Sequence, residues 1–135
     1  MKPRESRFPD YQKEKEEDGT DHFYDSYVKF FIYGTSKDPM PENIRIFNKV
    51  GWAYGYLTDC SYIVDFEKNV EFLLAATIHV NENQIFNDDN YEYESVGLPF
   101  FTNLGKLIYD HEVNRTRAKK PDLSRFNLDF DERKW

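Results

Sequence analysis

The sequence predicts an α+β fold: a three-strand antiparallel sheet followed by a C-terminal helix. Three observations predict it. "NIRIFNKVG" (43–51) and "TDCSYIVDF" (58–66) each alternate side chains at strand period. "VEFLLAATIHV" (70–80) is a nearly continuous apolar run directly behind a short polar turn. Finally, apolar residues recur at helical spacing after Pro99.

Residues 1–26 carry mostly charged side chains and read as an irregular segment. "YVKFFIYG" (27–34) reads as a short strand or a packed loop, and Pro39 and Pro41 mark a turn. In the first strand Ile44 and Ile46 face one side, with Arg45, Phe47 and Lys49 on the other. "WAYGYL" reads as the connection to the second strand, with Gly55 at its turn. "EKN" (67–69) reads as a three-residue hairpin turn into the third. That third strand, apolar on successive residues, is expected to be covered on both faces.

Residues 81–95 hold five acids and no base. Their spacing matches no calcium loop and lacks its central glycine, so a solvated loop is the expectation. The helix is expected to be capped by Ser95 and to carry Pro99 in its first turn. Phe100, Phe101, Leu104, Leu107, Ile108 and His111 would form its buried face. Gly105 costs a helix about 1 kcal/mol against alanine, which suggests close contact with the sheet. The basic run "RTRAKK" (115–120) suits a helix C-terminus. Residues 127–135 form a tail.

Composition excludes several classes. The chain has 135 residues, net charge −7, twelve Phe and ten Tyr. One domain with a real core is expected. An acidic chain lacks the footprint of a nucleic-acid binder. No run of 18 apolar residues is present, so no membrane span is expected. The N-terminal stretch has no apolar run of a signal peptide, which as written points to the cytoplasm. Cys60 is the sole cysteine and reads as a half-buried thiol. His22, His79 and His111 share no metal-ligand spacing, and His79 and His111 read as core histidines. No metal or cofactor is expected. Asp59 and Asp65 lie six residues apart on one strand, too far for a carboxylate pair.

Lys49-Val50-Gly51 is the remaining chemical signal. It ends a strand that two further antiparallel strands and a helix follow. This order resembles the C-terminal part of the serine β-lactamase and penicillin-binding-protein superfamily, most nearly the class A β-lactamase-like serine hydrolases of bacteria. There a Lys-Thr-Gly or Lys-Ser-Gly triplet lines the active site on an edge strand. "IRIFNKVGWAYGYLTDCSYIVDFEKNVEFLLAATIHVNEN", "QIFNDDNYEYE" and "KPDLSRF" also resemble a bacterial subgroup, so the likeness covers about residues 27–126.

The resemblance implies that Lys49 presents an ammonium to a substrate carboxylate, and that Gly51 lets substrate approach the strand. It implies that the Trp52 backbone N–H is an oxyanion donor, a contact worth about 10²–10³ in rate. Val50 departs from the family's hydroxyl residue. The family's Ser-x-Asn motif is absent, and the sole Ser-x-x-Lys, Ser26-Tyr27-Val28-Lys29, lies only 20 residues before Lys49 in an aromatic stretch. The expectation is a C-terminal fragment of an acyl-serine hydrolase, inactive alone, whose complete enzyme acts on a small acyl or peptide substrate. Relatives usually act outside the cytoplasm. In such enzymes the strand matching 70–80 pairs on its far side with an N-terminal strand. This chain offers no clear candidate for it other than Tyr27 to Tyr33 as a substitute, and an N-terminal half encoded upstream is the expected partner. Two alternatives stand beside it. One is a stand-alone α+β module binding a protein or ligand through Trp52, Tyr54 and Tyr56. The other is a subunit complementing a separately encoded N-terminal part.

Overall fold

The computed structural model describes residues 24–126. The three strands are β1 (Ile44–Ala53), β2 (Tyr56–Asp65) and β3 (Val70–His79), ordered β1-β2-β3 and antiparallel throughout. Before them lies a single kinked turn, α1 (Phe30–Tyr33), and after them the long helix α2 (Leu98–Asn114). The α+β sheet-then-helix order read from the sequence is therefore present.

Strand pairing follows from alternation. Ile44, Ile46, Asn48, Val50 and Trp52 of β1 oppose Asp65, Ile63, Ser61, Asp59 and Leu57 of β2 on the inner face. Val70, Phe72, Leu74, Ala76 and Ile78 of β3 continue that face. The β1–β2 connection is shorter than "WAYGYL". Ala53 pairs with Tyr56, leaving only Tyr54 and Gly55 in the turn, both at positive φ (51° and 83°). That is the two-residue turn whose twist matches paired strands. Gly55 is required there: a Cβ would lie 2.8 Å from the Val80 carbonyl oxygen. The β2–β3 turn is longer than "EKN", spanning the four residues 66–69. Asp65 holds it by accepting the Glu67 and Lys68 amides at 2.8 and 2.9 Å. This is an Asx-type arrangement, which needs no glycine.

The core lies between the inner face, α1 and α2, and centres on Phe30, Phe31, Ile46, Leu57, Ile63 and Phe101. The stretch 27–34 is a packed loop and not a strand: Phe31 is extended (ψ 136°) and Ile32 has φ 70°. It plugs the sheet with three consecutive buried apolar residues. Helix α2 is positioned by this plug. A Cβ on Gly105 would lie 2.5 Å from the Ile32 nitrogen, so the close contact is with α1 and not with the sheet. The buried face of α2 is accordingly turned to Phe101, Thr102 and Gly105. Phe100, Leu107 and His111, expected inside, are exposed. Ser95 is not the cap; it sits in a wide π-type turn (Tyr93–Gly97), and Gly97 precedes the helix without a side-chain cap.

Four further expectations are corrected. β3 is not covered on both faces: Leu73 is 72 % exposed on the outer one. His79 is exposed and not a core histidine, stacking against Tyr56 at 4.1 Å and lying 6.1 Å from Phe86. His111 is likewise exposed. Cys60, on the outer face opposite Lys49, is exposed and not half-buried. After α2 the chain returns to the outer face, where Phe126 stacks on Phe47 at 5.7 Å and Arg125 pairs with Glu71 at 2.5 Å. His22 and the tail 127–135 lie outside the described residues.

Candidate functional site

The triplet Lys49-Val50-Gly51 lies in β1, which pairs with β2 on one side and is an edge strand among the described residues. Lys49 and Gly51 point to the outer face, away from α2. Lys49 is exposed, and its Nζ donates to the Val50 carbonyl at 2.6 Å. Gly51 faces open space, with nothing within 4 Å of where a Cβ would sit. Packing therefore does not demand a glycine there.

The Trp52 amide is placed by ladder parity. Ala53 and Tyr56 close the two-residue turn as a hydrogen-bonded pair, so amides alternate from there. The odd residues of β1 bond β2, and the even ones, Trp52 included, point to the open edge. The Ile44 amide obeys this, donating outward to Pro41 at 3.0 Å. The Trp52 ring lies on the inner face, stacked between Phe30 (5.9 Å) and Tyr93 (5.5 Å), yet is 57 % exposed. Lys49 and the Trp52 N–H thus share one end of one edge strand. Lys49 projects from the outer face and the amide points along the sheet plane.

The candidate serine does not join them; an exposed nucleophilic group beside Lys49 is the Cys60 thiol on the paired strand. Ser26 is only 2 % exposed, and its hydroxyl donates to the Ser36 carbonyl. Lys29 turns elsewhere, donating from Nζ to Asn48 Oδ1 at 2.6 Å. The Ser26-x-x-Lys29 spacing sits in a turn ahead of α1 and not at a helix start, so the two side chains take different partners.

Sequence reading missed the polar network that Lys29 enters. Asp59 is fully buried beneath α1. It accepts the Phe30 amide at 3.2 Å, Ser61 Oγ at 2.9 Å and Asn48 Nδ2 at 3.1 Å. Asn48 Nδ2 also reaches the Val28 carbonyl at 2.8 Å. Burial pushes the Asp59 carboxyl above the usual carboxylate value, against the pull of these donors. Burial lowers the Lys29 ammonium, and the Asp59 charge works against that. The network pins the irregular 28–31 backbone. Only its alternation with Leu57 and Ile63 on the inner face signalled that Asp59 is buried.

A second feature gathers at the hairpin end. Trp52, Tyr54, Tyr56, Ile85 and Phe86 are each at least 48 % exposed. Tyr93 ties this end together by accepting the Gly55 amide at 2.8 Å. The neighbouring loop holds itself in turns: Asp88 accepts the Asn90 amide at 3.1 Å and Asn83 Nδ2 at 2.8 Å. No cluster of three or more metal-ligating side chains occurs among the described residues. No helix among them is long and apolar enough to cross a membrane.

No family model, curated protein or solved structure matches the chain.

Proposed function

We propose that the chain is the C-terminal portion of a β-lactamase-like serine hydrolase, a piece that cannot acylate by itself. The observation that supports this reading is the setting of Lys49-Val50-Gly51. The triplet lies on an edge strand, with an exposed ammonium, an open glycine and an outward Trp52 amide. Such an amide is the kind of donor that stabilises a developing oxyanion. An ammonium beside it would draw a substrate carboxylate and favour neighbouring anions. What is missing among the described residues is an exposed serine nucleophile with its base at this site. A partner segment supplying them has an uncovered route to Lys49, because the outer face around Lys49, Gly51 and Cys60 is exposed.

The test is exposure of the isolated chain to a fluorescent penicillin. No covalent label is expected, since the Ser26 hydroxyl is buried on a carbonyl and Lys29 is turned to Asn48. A label mapped to Ser26 would overturn the reading.

The exposed aromatic end favours a second reading, a stand-alone binding module. Aromatic residues are enriched where partners dock. Asp88, Asp89 and Glu94 border this end and are exposed, so a cationic polypeptide is the partner chemistry it fits. Saturable quenching of Trp52 fluorescence by a basic peptide, lost in Tyr54→Ala, would favour this reading. No response to basic peptides would remove its support.

A further inference from the structure

β3 has a free edge among the described residues. By the same ladder parity, the even residues of β3 bond β2, so the amides and carbonyls of Glu71, Leu73, Ala75, Thr77 and His79 point outward. The Val80 amide, donating inward to Gly55 at 2.7 Å, fits that alternation. Among the described residues, no other hydrogen bond outside the β2 ladder reaches the backbone of residues 71–79. Its edge defences are few, with one acidic residue, Glu71, near its start. VEFLLAATIH contains no lysine and no proline, and its ten consecutive pairs with β2 contain no bulge.

The inner side of this edge is apolar. Phe72, Leu74 and Ile78 pack on the core yet are only partly buried, whereas their β2 partners Ile63, Ser61 and Leu57 are fully buried. On α2 the contact with α1 runs through Gly105. Phe100, Leu104 and Leu107 lie on the helix flank turned away from that contact, at helical spacing, and Leu107 is 65 % exposed. A half-covered sheet edge beside a half-covered helix flank is an incomplete core.

We infer that a second copy of this chain covers it, pairing β3 with β3 antiparallel about a two-fold axis at Ala75. The sequence is self-complementary in that register. Outward amides meet outward amides: Ala75 opposes Ala75, and Leu73 opposes Thr77 of the other copy. About six backbone hydrogen bonds form over these three pairs. On the inner face Leu74 meets Ala76 and Phe72 meets Ile78, large against small and apolar against apolar. At the ends Glu71, which already pairs with Arg125, stands opposite His79. A two-fold interface must be self-complementary in this way. The result is a six-stranded sheet with the two α2 helices on one face. The hydrolase reading places an N-terminal strand on this same edge, so the pairing applies to the chain on its own.

The test uses the 135-residue chain with Cys60→Ser as background. Sedimentation velocity over a concentration series should show a monomer–dimer equilibrium. Ala75→Pro should shift it to monomer without loss of far-UV circular dichroism, because that amide does not serve the β2 ladder. Ala75→Cys should form an intermolecular disulfide under mild oxidation, since hydrogen-bonded partners sit about 5.5 Å apart. Leu73→Cys should not, being about 14 Å from its counterpart in this register. A monomer at all concentrations, equal cross-linking at both positions, or open-ended oligomers would each overturn the pairing. Each of these outcomes leaves the Lys49 reading to its own test.

Discussion

Replacing Gly105 with alanine sets two effects of opposite sign against each other. In an exposed helix interior the change stabilises by about 1 kcal/mol. Here the new methyl would lie 2.5 Å from the Ile32 nitrogen and 3.0 Å from the Phe31 carbonyl carbon. Both are backbone atoms, so no rotamer change relieves the clash. The backbone cannot easily retreat, because Phe31 and Ile32 are buried and Asp59 holds the Phe30 amide. Overpacking a fixed site costs about 1–3 kcal/mol, and the gap to Ile32 puts this case at the upper end. The net expectation is a loss of about 1–2 kcal/mol. Urea unfolding at fixed protein concentration, followed by far-UV circular dichroism, should show a lower midpoint with an unchanged slope. Lys106→Ala, one residue on and exposed, should stay within about 0.5 kcal/mol. A Gly105→Ala midpoint above that of the parent would refute the contact between α2 and α1.

Asp65 should be the most costly turn residue. Beyond the two turn amides it accepts Asn43 Nδ2 at 2.9 Å and the Tyr109 hydroxyl at 2.5 Å, so Asp65→Ala should lose about 3 kcal/mol in the same unfolding assay. Burial works to raise its pKa, but these donors outweigh it and hold the carboxyl below the usual value. Its contribution is therefore complete above the unfolded carboxylate pKa and is lost as pH falls through the lower folded one. The parent should lose stability over that acid window, and Asp65→Ala should lose less. Asp59 has the opposite sign: its raised pKa means that ionisation in the fold opposes stability, so Asp59→Asn should cost less at neutral pH than Asn48→Ala. Asn48→Ala strips donors from a buried carboxylate and should lose about 2 kcal/mol. Lys49→Ala should change stability by less than about 0.5 kcal/mol, because its hydrogen bond among the described residues is local and exposed.

The sheet was legible because alternation is a local signal, and the inner-face residues of β1 and β2 follow from it directly. Where coverage depended on another element, the sequence misled. Continuous apolar character in β3 suggested two covered faces, but Leu73, Ala75 and Thr77 have nothing over them among the described residues. Helical spacing found α2 but not its rotation, since that is set by α1, whose kink at Ile32 leaves no periodic trace. His79 sits in an apolar run yet points outward, as strand parity requires of an odd residue in β3. The Asp59 network was hidden for another reason. Its partners at 30, 48 and 61 come from three separate stretches, and only the fold brings them together. Lys49 was placed on the face of Arg45 and Phe47 by parity alone, and the structure keeps it there.

The central claim is that Lys49 belongs to an acyl-transfer site whose nucleophile is supplied by another segment. The most direct measurement is to sequence the DNA upstream of the Met1 codon and translate all three forward frames. The account predicts a helix-forming segment that begins with Ser-x-x-Lys, followed downstream by Ser-x-Asn. An unrelated gene or non-coding DNA abutting Met1 would contradict it and leave the aromatic hairpin end as the functional surface.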